Sequence, residues 1–175
     1  MSALRLPKTL EAEGLAVAIE REIEARSALL WPKGELRVPR ADLGVGLVSA
    51  LKGAFLARRI VRGIDLAERA LEANAVGLKQ VDLKTGVERG ARVSRMLVLA
   101  DDGSQRFYRN VESLLRRHAP RVMALRVAVD ERELGESLFG SGQVARLVLL
   151  DHKDAVASVL KALALQWGAV GGRDV

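Results

Sequence analysis

Three short apolar runs, each followed by a stretch with helical periodicity, constrain the fold more than any other feature of this sequence. The runs cover residues 96–100, 122–129 and 144–150, and the last of them leads into a closing helical stretch at 153–166. Continuous apolar strands that alternate with helices are typical of a mostly parallel sheet covered on both faces. Together with a brief extended link at 60–61, they predict an α/β fold, a three-layer α/β/α sandwich around a four-stranded mixed sheet.

The first forty residues predict a helical extension that precedes this sandwich. Between residues 8 and 28, Leu15, Ile19 and Ile23 recur every four positions, as on one face of an amphipathic helix. A short alternating run at 36–39 predicts an edge strand, because Pro39 lacks the N–H that a central strand needs. We therefore divide the chain into a helical extension (1–40), a central domain (41–168) and a tail (169–175).

The segment between residues 42 and 93 is harder to interpret from its pattern. Asp42 is the expected N-cap of a second helix, and Asp65 can cap a third helix that runs to about Ala73. Residues 74–90 contain several glycines and show little periodicity. We predict an inserted loop or irregular hairpin there.

Residue types that are scarce or missing exclude several classes of function. The chain has no cysteine and only two histidines, His118 and His152, which excludes disulfides, thiolate-bound metals and cysteine nucleophiles. No nucleophile motif surrounds Ser104. The start resembles no secretory signal, and no run approaches the roughly 20 apolar residues that span a bilayer. We expect a cytoplasmic protein without a metal, a cofactor or catalytic residues, and no association with membranes.

The distribution of charge favours a polyanionic partner. The formal net charge is +6, most of the basic residues are arginines, and their excess lies between residues 41 and 100. The planar guanidinium suits phosphate and guanine edges, so RNA is a reasonable first hypothesis. The nucleotide composition of a genome can also produce an arginine bias, and the bias alone does not separate these two explanations. Aromatic residues make up only 3% of the chain, which argues against a platform of stacked bases.

Several short motifs between residues 57 and 140 together match the pattern of a known protein family. A basic helix end leads through a short strand into a glycine turn and a helix at 57–66. A strand ends in acidic and small polar residues at 97–104, and a Leu-Gly helix at 133–140 precedes the last strand. The order of elements over 42–166 is also similar. These features resemble the L-seven-Ae family of ribosomal and kink-turn-binding proteins. The resemblance implies a non-enzymatic protein that binds structured RNA such as ribosomal RNA.

The resemblance also implies a set of RNA-binding residues. The family's turn runs Gly, any residue, Asn, Glu, two further residues and Lys, and Gly63, Asp65, Leu66 and Arg69 occupy the matching positions. The second RNA-facing element corresponds to the loop at 128–134. With the neighbouring cations, the predicted interface consists of Arg58, Arg59, Arg62, Gly63, Asp65, Arg69 and Arg132. We expect the two loops to meet at one edge of the sheet and to form a positively charged concave surface.

Two departures from the family pattern keep other functions open. Asp65 cannot donate hydrogen bonds as an asparagine amide does, and Leu66 cannot accept one from a guanine edge. These residues favour a protein-interaction module that has lost RNA recognition. A partner could also bind the N-terminal helix, or that helix could pair with a second copy. The third hypothesis is a truncated receiver-like domain, because Asp101, Asp102 and Asp151 all follow apolar strands.

Overall fold

A computed structural model describes residues 4–85 and 91–169 of the chain. Within those ranges the chain forms seven helices and six strands. The helices are α1 (Lys8–Ala12), α2 (Ala16–Ala25), α3 (Val45–Leu56), α4 (Ile64–Thr85), α5 (Gln105–Arg117), α6 (Glu131–Phe139) and α7 (Lys153–Gln166). The strands are β1 (Ser27–Leu29), β2 (Arg37–Ala41), β3 (Ile60–Arg62), β4 (Arg95–Leu99), β5 (Val122–Val127) and β6 (Leu147–Leu150). None of the described helices is both long and apolar enough to cross a membrane.

The six strands form one mixed sheet in the order β1-β2-β5-β4-β6-β3. Strands β2, β4 and β5 are parallel to one another, whereas β6 is antiparallel to both β4 and β3. It follows that β3 points in the same direction as β4 and β5. The predicted α/β class is confirmed, but the prediction of four strands is wrong because β1 and β2 extend the sheet.

Strand β2 is not the edge strand that Pro39 suggested. It pairs with β1 on one side and with β5 on the other, so that β1 forms the edge. The pairing with β5 includes only Arg40 and Ala41, which lie opposite Arg126 and Val127. Pro39 precedes this pairing, and its missing N–H therefore removes no hydrogen bond to β5.

Helices cover both faces of the sheet, and successive side chains of β4 show this directly. Met96 and Val98 belong to a core that includes apolar residues of α3, α6 and α7. Leu97 and Leu99 point into a second core, which is formed with α4 and α5. All four residues are completely buried. The period of two along a strand that is buried on both faces produces the continuous apolar run seen in the sequence.

The N-terminal segment packs on the sandwich and contributes to its core. Leu6, Leu10 and Ile19 are completely buried in the core on the α7 side. The predicted long helix is divided into α1 and α2 near Gly14, whose φ of +75° does not fit an α-helix. The predicted helical extension also contains β1 and most of β2. The domain division at residue 40 stays a prediction.

A buried carboxylate anchors the connection between β1 and β2 to α5. Glu112, which is 6% exposed, accepts hydrogen bonds from the backbone N–H groups of Glu35 and Leu36 at 2.8 and 2.7 Å. Its other oxygen accepts from the indole N–H of Trp31 at 2.5 Å. The Arg116 guanidinium lies 3.4 Å from the oxygen that accepts from the backbone. Burial raises the pKa of Glu112, but these donors outweigh burial and hold the pKa below its ordinary value of 4.5. The carboxylate therefore fixes a surface turn to the sandwich.

Helix α4 replaces most of the predicted inserted loop. It continues to Thr85, because Leu71, Asn74 and Leu78 keep helical spacing along one face of the helix. Gly77 is tolerated inside the helix at a cost of about 1 kcal/mol relative to alanine. Residues 86–90 of the predicted loop and 170–175 of the predicted tail lie outside the described residues. Asp42 does not cap α3, which begins after Gly44. The backbone carbonyl of Asp42 instead accepts a hydrogen bond from the Gln166 amide at 2.8 Å.

Candidate nucleic-acid interface

A glycine turn joins β3 to α4 at the edge of the sheet. Gly63 has a φ of +92°, a conformation that L side chains rarely adopt. Its N–H donates to the Leu147 carbonyl at 2.9 Å, and its own carbonyl accepts the first helical bond, from the N–H of Ala67 at 3.0 Å. The first N–H groups of a helix have no acceptor within the helix, and they carry the positive end of the helix dipole. The turn therefore presents donors suited to an anion.

Arg62 is held in place beside this turn. Its guanidinium donates to the Gln143 side chain at 3.1 Å and to the Val144 carbonyl, and it lies 4.6 Å from the centre of the Phe139 ring. These contacts connect the end of β3 to the loop that precedes β6. Because the guanidinium is already positioned and remains exposed, binding of a phosphate costs less conformational entropy there than at a mobile side chain.

The segment 128–134, which the sequence predicted as a loop, lies at the same edge as Gly63, but its residues from Glu131 onward form the start of α6. Strands β3, β4 and β5 are parallel, so their carboxyl ends share one edge of the sheet. The N–H of Ala145, just before β6, donates to the Glu131 carbonyl at 2.9 Å and joins the loop to that edge. We call this edge the glycine edge. The two segments therefore share one edge of the sheet.

The charge at the centre of the glycine edge is mixed, not positive. The cations there have carboxylate partners: Arg126 with Asp101 at 2.6 Å, Arg132 with Glu136 at 3.5 Å, and Arg146 with Glu131 at 3.0 Å and Asp102 at 3.8 Å. Arg132 also lines a shallow depression with Asp130 and Glu133. Carboxylates at these distances neutralise the arginines and repel phosphate. Among the described residues, Arg62 and Arg69 are the cations of this edge without a carboxylate partner, and they lie toward β3, away from Arg132.

The remaining predicted interface residues divide between two edges. Asp65 and Arg69 are exposed on the first turns of α4, and Arg69 has no ion-pair partner among residues 4–85 and 91–169. Arg58 and Arg59 precede β3 and lie at the opposite edge, where the Arg59 carbonyl accepts the N–H of Asp151 at 2.8 Å. Gly63 lies four positions after Arg59 along the chain, or roughly 13 Å away in extended conformation. Arg62, Gly63, Asp65 and Arg69 are thus grouped, whereas Arg58 and Arg59 are separate.

The acidic residues of the receiver-like hypothesis do not converge. Asp101 and Asp102 follow β4 at the glycine edge, but Asp151 follows β6, which runs in the opposite direction. Asp151 therefore lies at the far edge, where it accepts from Arg95 at 2.7 Å. No group of three potential metal ligands occurs within the described part of the chain. The geometry contradicts the receiver-like hypothesis.

The sequence analysis missed two arginines at that far edge. Arg95 begins β4 and Arg121 immediately precedes β5, and both line a cleft beside α4. Burial, together with the nearby charge of Arg95, lowers the pKa of Arg121. A cation directly before each of two neighbouring parallel strands was visible in the sequence. That these two arginines line a cleft was not visible, because α4 had to continue past Ala73 to form the wall of the cleft.

Comparisons with known proteins identify only distant structural neighbours. No family model matches the chain, and no curated protein matches it. One similar solved structure is a protein of unknown function from Bacillus halodurans, with a TM-score of 0.41 and 15% identity over 66% of this chain and 98% of that chain. Another is a 15.5kD RNA binding protein from Giardia lamblia, with a TM-score of 0.43 and 16% identity over 75% of this chain and 95% of that chain. At this level of similarity, function must be argued from the residues of this chain.

Proposed function

We propose that this chain is a non-enzymatic protein that binds structured RNA at the β3 side of the glycine edge. The observation that carries the proposal is the open helix N-terminus at Gly63, with Arg62 fixed on one side and Arg69 free on the other. Helix N-termini bind phosphate through their free N–H groups, and neighbouring arginines add charge and directional donors. A kink-turn or ribosomal RNA is the finer form of this proposal.

The side chains in the first turn of α4 indicate what kind of RNA recognition to expect. Asp65 places a carboxylate in the first turn of α4, and Leu66 leaves 54% of its surface exposed beside it. The carboxylate reduces the attraction for phosphate, and the leucine offers apolar contact instead of a hydrogen bond. Backbone charge and RNA shape should therefore dominate the affinity, with little discrimination between base sequences.

The proposal is tested by measuring fluorescence polarisation with a labelled kink-turn RNA and a base-substituted control RNA. Two to four phosphate contacts predict that log affinity falls with log salt with a slope of about −2 to −4. The double variant Arg62→Glu, Arg69→Glu should lower affinity at least about tenfold, because even one charge-assisted contact is worth about 1.5 kcal/mol. The charge-matched control is Arg21→Glu, Lys33→Glu, on exposed residues of other elements, and its affinity should stay within about twofold of wild type.

A second double variant, Arg58→Glu, Arg59→Glu, compares the two edges directly. The proposal predicts a smaller loss for this pair than for Arg62 and Arg69, because the pair lies at the opposite edge. Equal losses for all three double variants would show that only net charge matters. Absence of RNA binding at low salt would reject the proposal and favour the protein-interaction module.

A further inference from the structure

A cleft of about 620 Å³ lies at the opposite edge of the sheet from Gly63. The C-terminal half of α4 extends past the sheet and forms an apolar wall with Ala73, Gly77 and Leu78. The facing wall is polar and is contributed by the amino ends of β4, β5 and α7. Its residues include Ser94, Arg95, Arg121, Asp151 and Lys153. The volume is within the usual range for small-molecule sites, about 300 to 1,000 Å³.

Arg121 is the most unusual residue of this cleft. It is 6% exposed, and its guanidinium donates one hydrogen bond, to the Leu71 carbonyl at 3.2 Å. A guanidinium carries five N–H groups, so most of the donors of Arg121 have no acceptor in the described part of the chain. Burial of an arginine without a carboxylate partner is costly, and the charge of Arg95 adds to that cost.

Among the described residues that line the cleft, the one carboxylate already has partners. Asp151 accepts from the Arg95 Nε at 2.7 Å and from the Asn74 amide at 2.9 Å, and the Asn74 oxygen accepts in turn from Arg95 at 3.1 Å. Asp151 therefore forms its hydrogen bonds with Arg95 and Asn74, and it acts on Arg121 through its charge alone, without an ion pair. Lys153, the first residue of α7, adds a further cation without an ion-pair partner among the described residues. The charged lining is thus three cations and one carboxylate.

We propose that this cleft binds the phosphate group of a small phosphomonoester, with Arg121, Arg95 and Lys153 as its cationic contacts. A dianionic phosphate would supply acceptors for the unpaired guanidinium donors of Arg121 and would compensate the excess charge. The apolar wall of α4 then leaves room for the uncharged part of the ligand, because the position of a Gly77 Cβ is open space. This site is separate from the proposed RNA interface and does not depend on it.

Isothermal titration calorimetry at constant ionic strength tests the proposal, with inorganic phosphate, adenosine monophosphate and adenosine as the probes. Phosphate and the monophosphate should bind saturably, and adenosine and chloride should not. Arg121→Lys should weaken binding about tenfold because the directional fork is lost, and the exposed Lys153→Gln should weaken it roughly threefold. Lys33→Gln, a lysine on a distant turn, is the matched control and should bind like wild type.

The variant Gly77→Leu provides a test that does not depend on removing a buried charge. Leucine has a higher helix propensity than glycine, so α4 should gain stability while the side chain fills the cleft. Adenosine monophosphate binding should be lost. Wild-type affinity in both Gly77→Leu and Lys153→Gln, or no phosphate binding by the wild type, would overturn the proposal. Because Arg62→Glu, Arg69→Glu should retain phosphate binding, failure of the RNA proposal can be recognised separately.

Discussion

Truncation of Glu112 to alanine should destabilise the protein by about 3 to 4 kcal/mol. The carboxylate is the shared acceptor for the N–H groups of Trp31, Glu35 and Leu36, and the substitution leaves all three without it. An unsatisfied buried donor costs about 1 to 3 kcal/mol. The total cost for the three donors is less than the sum of their separate costs, because water enters the space that the carboxylate leaves. Glu112→Gln keeps one acceptor oxygen and nearly the same shape, so we expect a smaller cost of about 1 to 2 kcal/mol.

Urea unfolding followed by far-UV circular dichroism measures these free energies of unfolding. Glu68→Ala is the control, because its exposed pair with Arg117 at 3.5 Å should contribute less than about 0.5 kcal/mol. The pKa of folded Glu112 lies below 4.5, so its stabilising effect is complete above pH 4.5 and is lost as the pH falls. The difference in the free energy of unfolding between wild type and Glu112→Gln should therefore shrink as the pH falls. A cost for Glu112→Ala within about 0.5 kcal/mol of the control would refute this reasoning.

Three further predictions concern other positions. Gly135→Ala should destabilise the protein by roughly 1 to 3 kcal/mol, because the new Cβ would lie 2.5 Å from the Gln143 carbonyl oxygen. Gly53→Ala meets open space in α3 and should stabilise the protein by about 0.5 to 1 kcal/mol. Urea unfolding compares the two variants. Burial lowers the pKa of His118 below 6.5, so the melting temperature should fall as the pH drops below 6.5, and His118→Leu should flatten that dependence. Asp65→Asn should raise RNA affinity about twofold to threefold in the polarisation assay, since it removes a repelling charge; weaker binding would contradict the proposed interface.

The sequence predicts best the strands that are buried on both faces of the sheet. The runs that became β4, β5 and β6 are short and apolar, and their alternation with longer helical stretches favours strands that are buried on both faces. The pairing of β2 was missed because Pro39 signals an edge, and only the register with β5 shows that Pro39 lies outside the paired residues. The length of α4 was missed because Gly77 masks its period, and its packing against the sheet outweighs that local cost.

The candidate interface was predictable in position but not in charge. The carboxyl ends of β3 and β5 lie at the same edge and bring Gly63 and the segment around Arg132 to it, although the antiparallel direction of β6 and the pairing of β2 were not predicted. Charge neutralisation depends on which carboxylate lies beside which arginine, and contacts such as that between Arg146 and Glu131 join residues from different elements. The separation of Arg58 from Gly63 follows from β3 being an extended strand with its two ends at opposite edges of the sheet.

The most direct test of the proposed RNA interface is an amide chemical-shift titration of the isotope-labelled protein with a kink-turn RNA. The free N–H groups at the start of α4 are the donors on which the proposal depends. We predict that the largest shift changes occur from Arg62 to Leu66, and that the amides near Arg58 and Arg121 change little. Changes concentrated at the opposite edge, or spread evenly over all basic surfaces, would contradict the proposed interface.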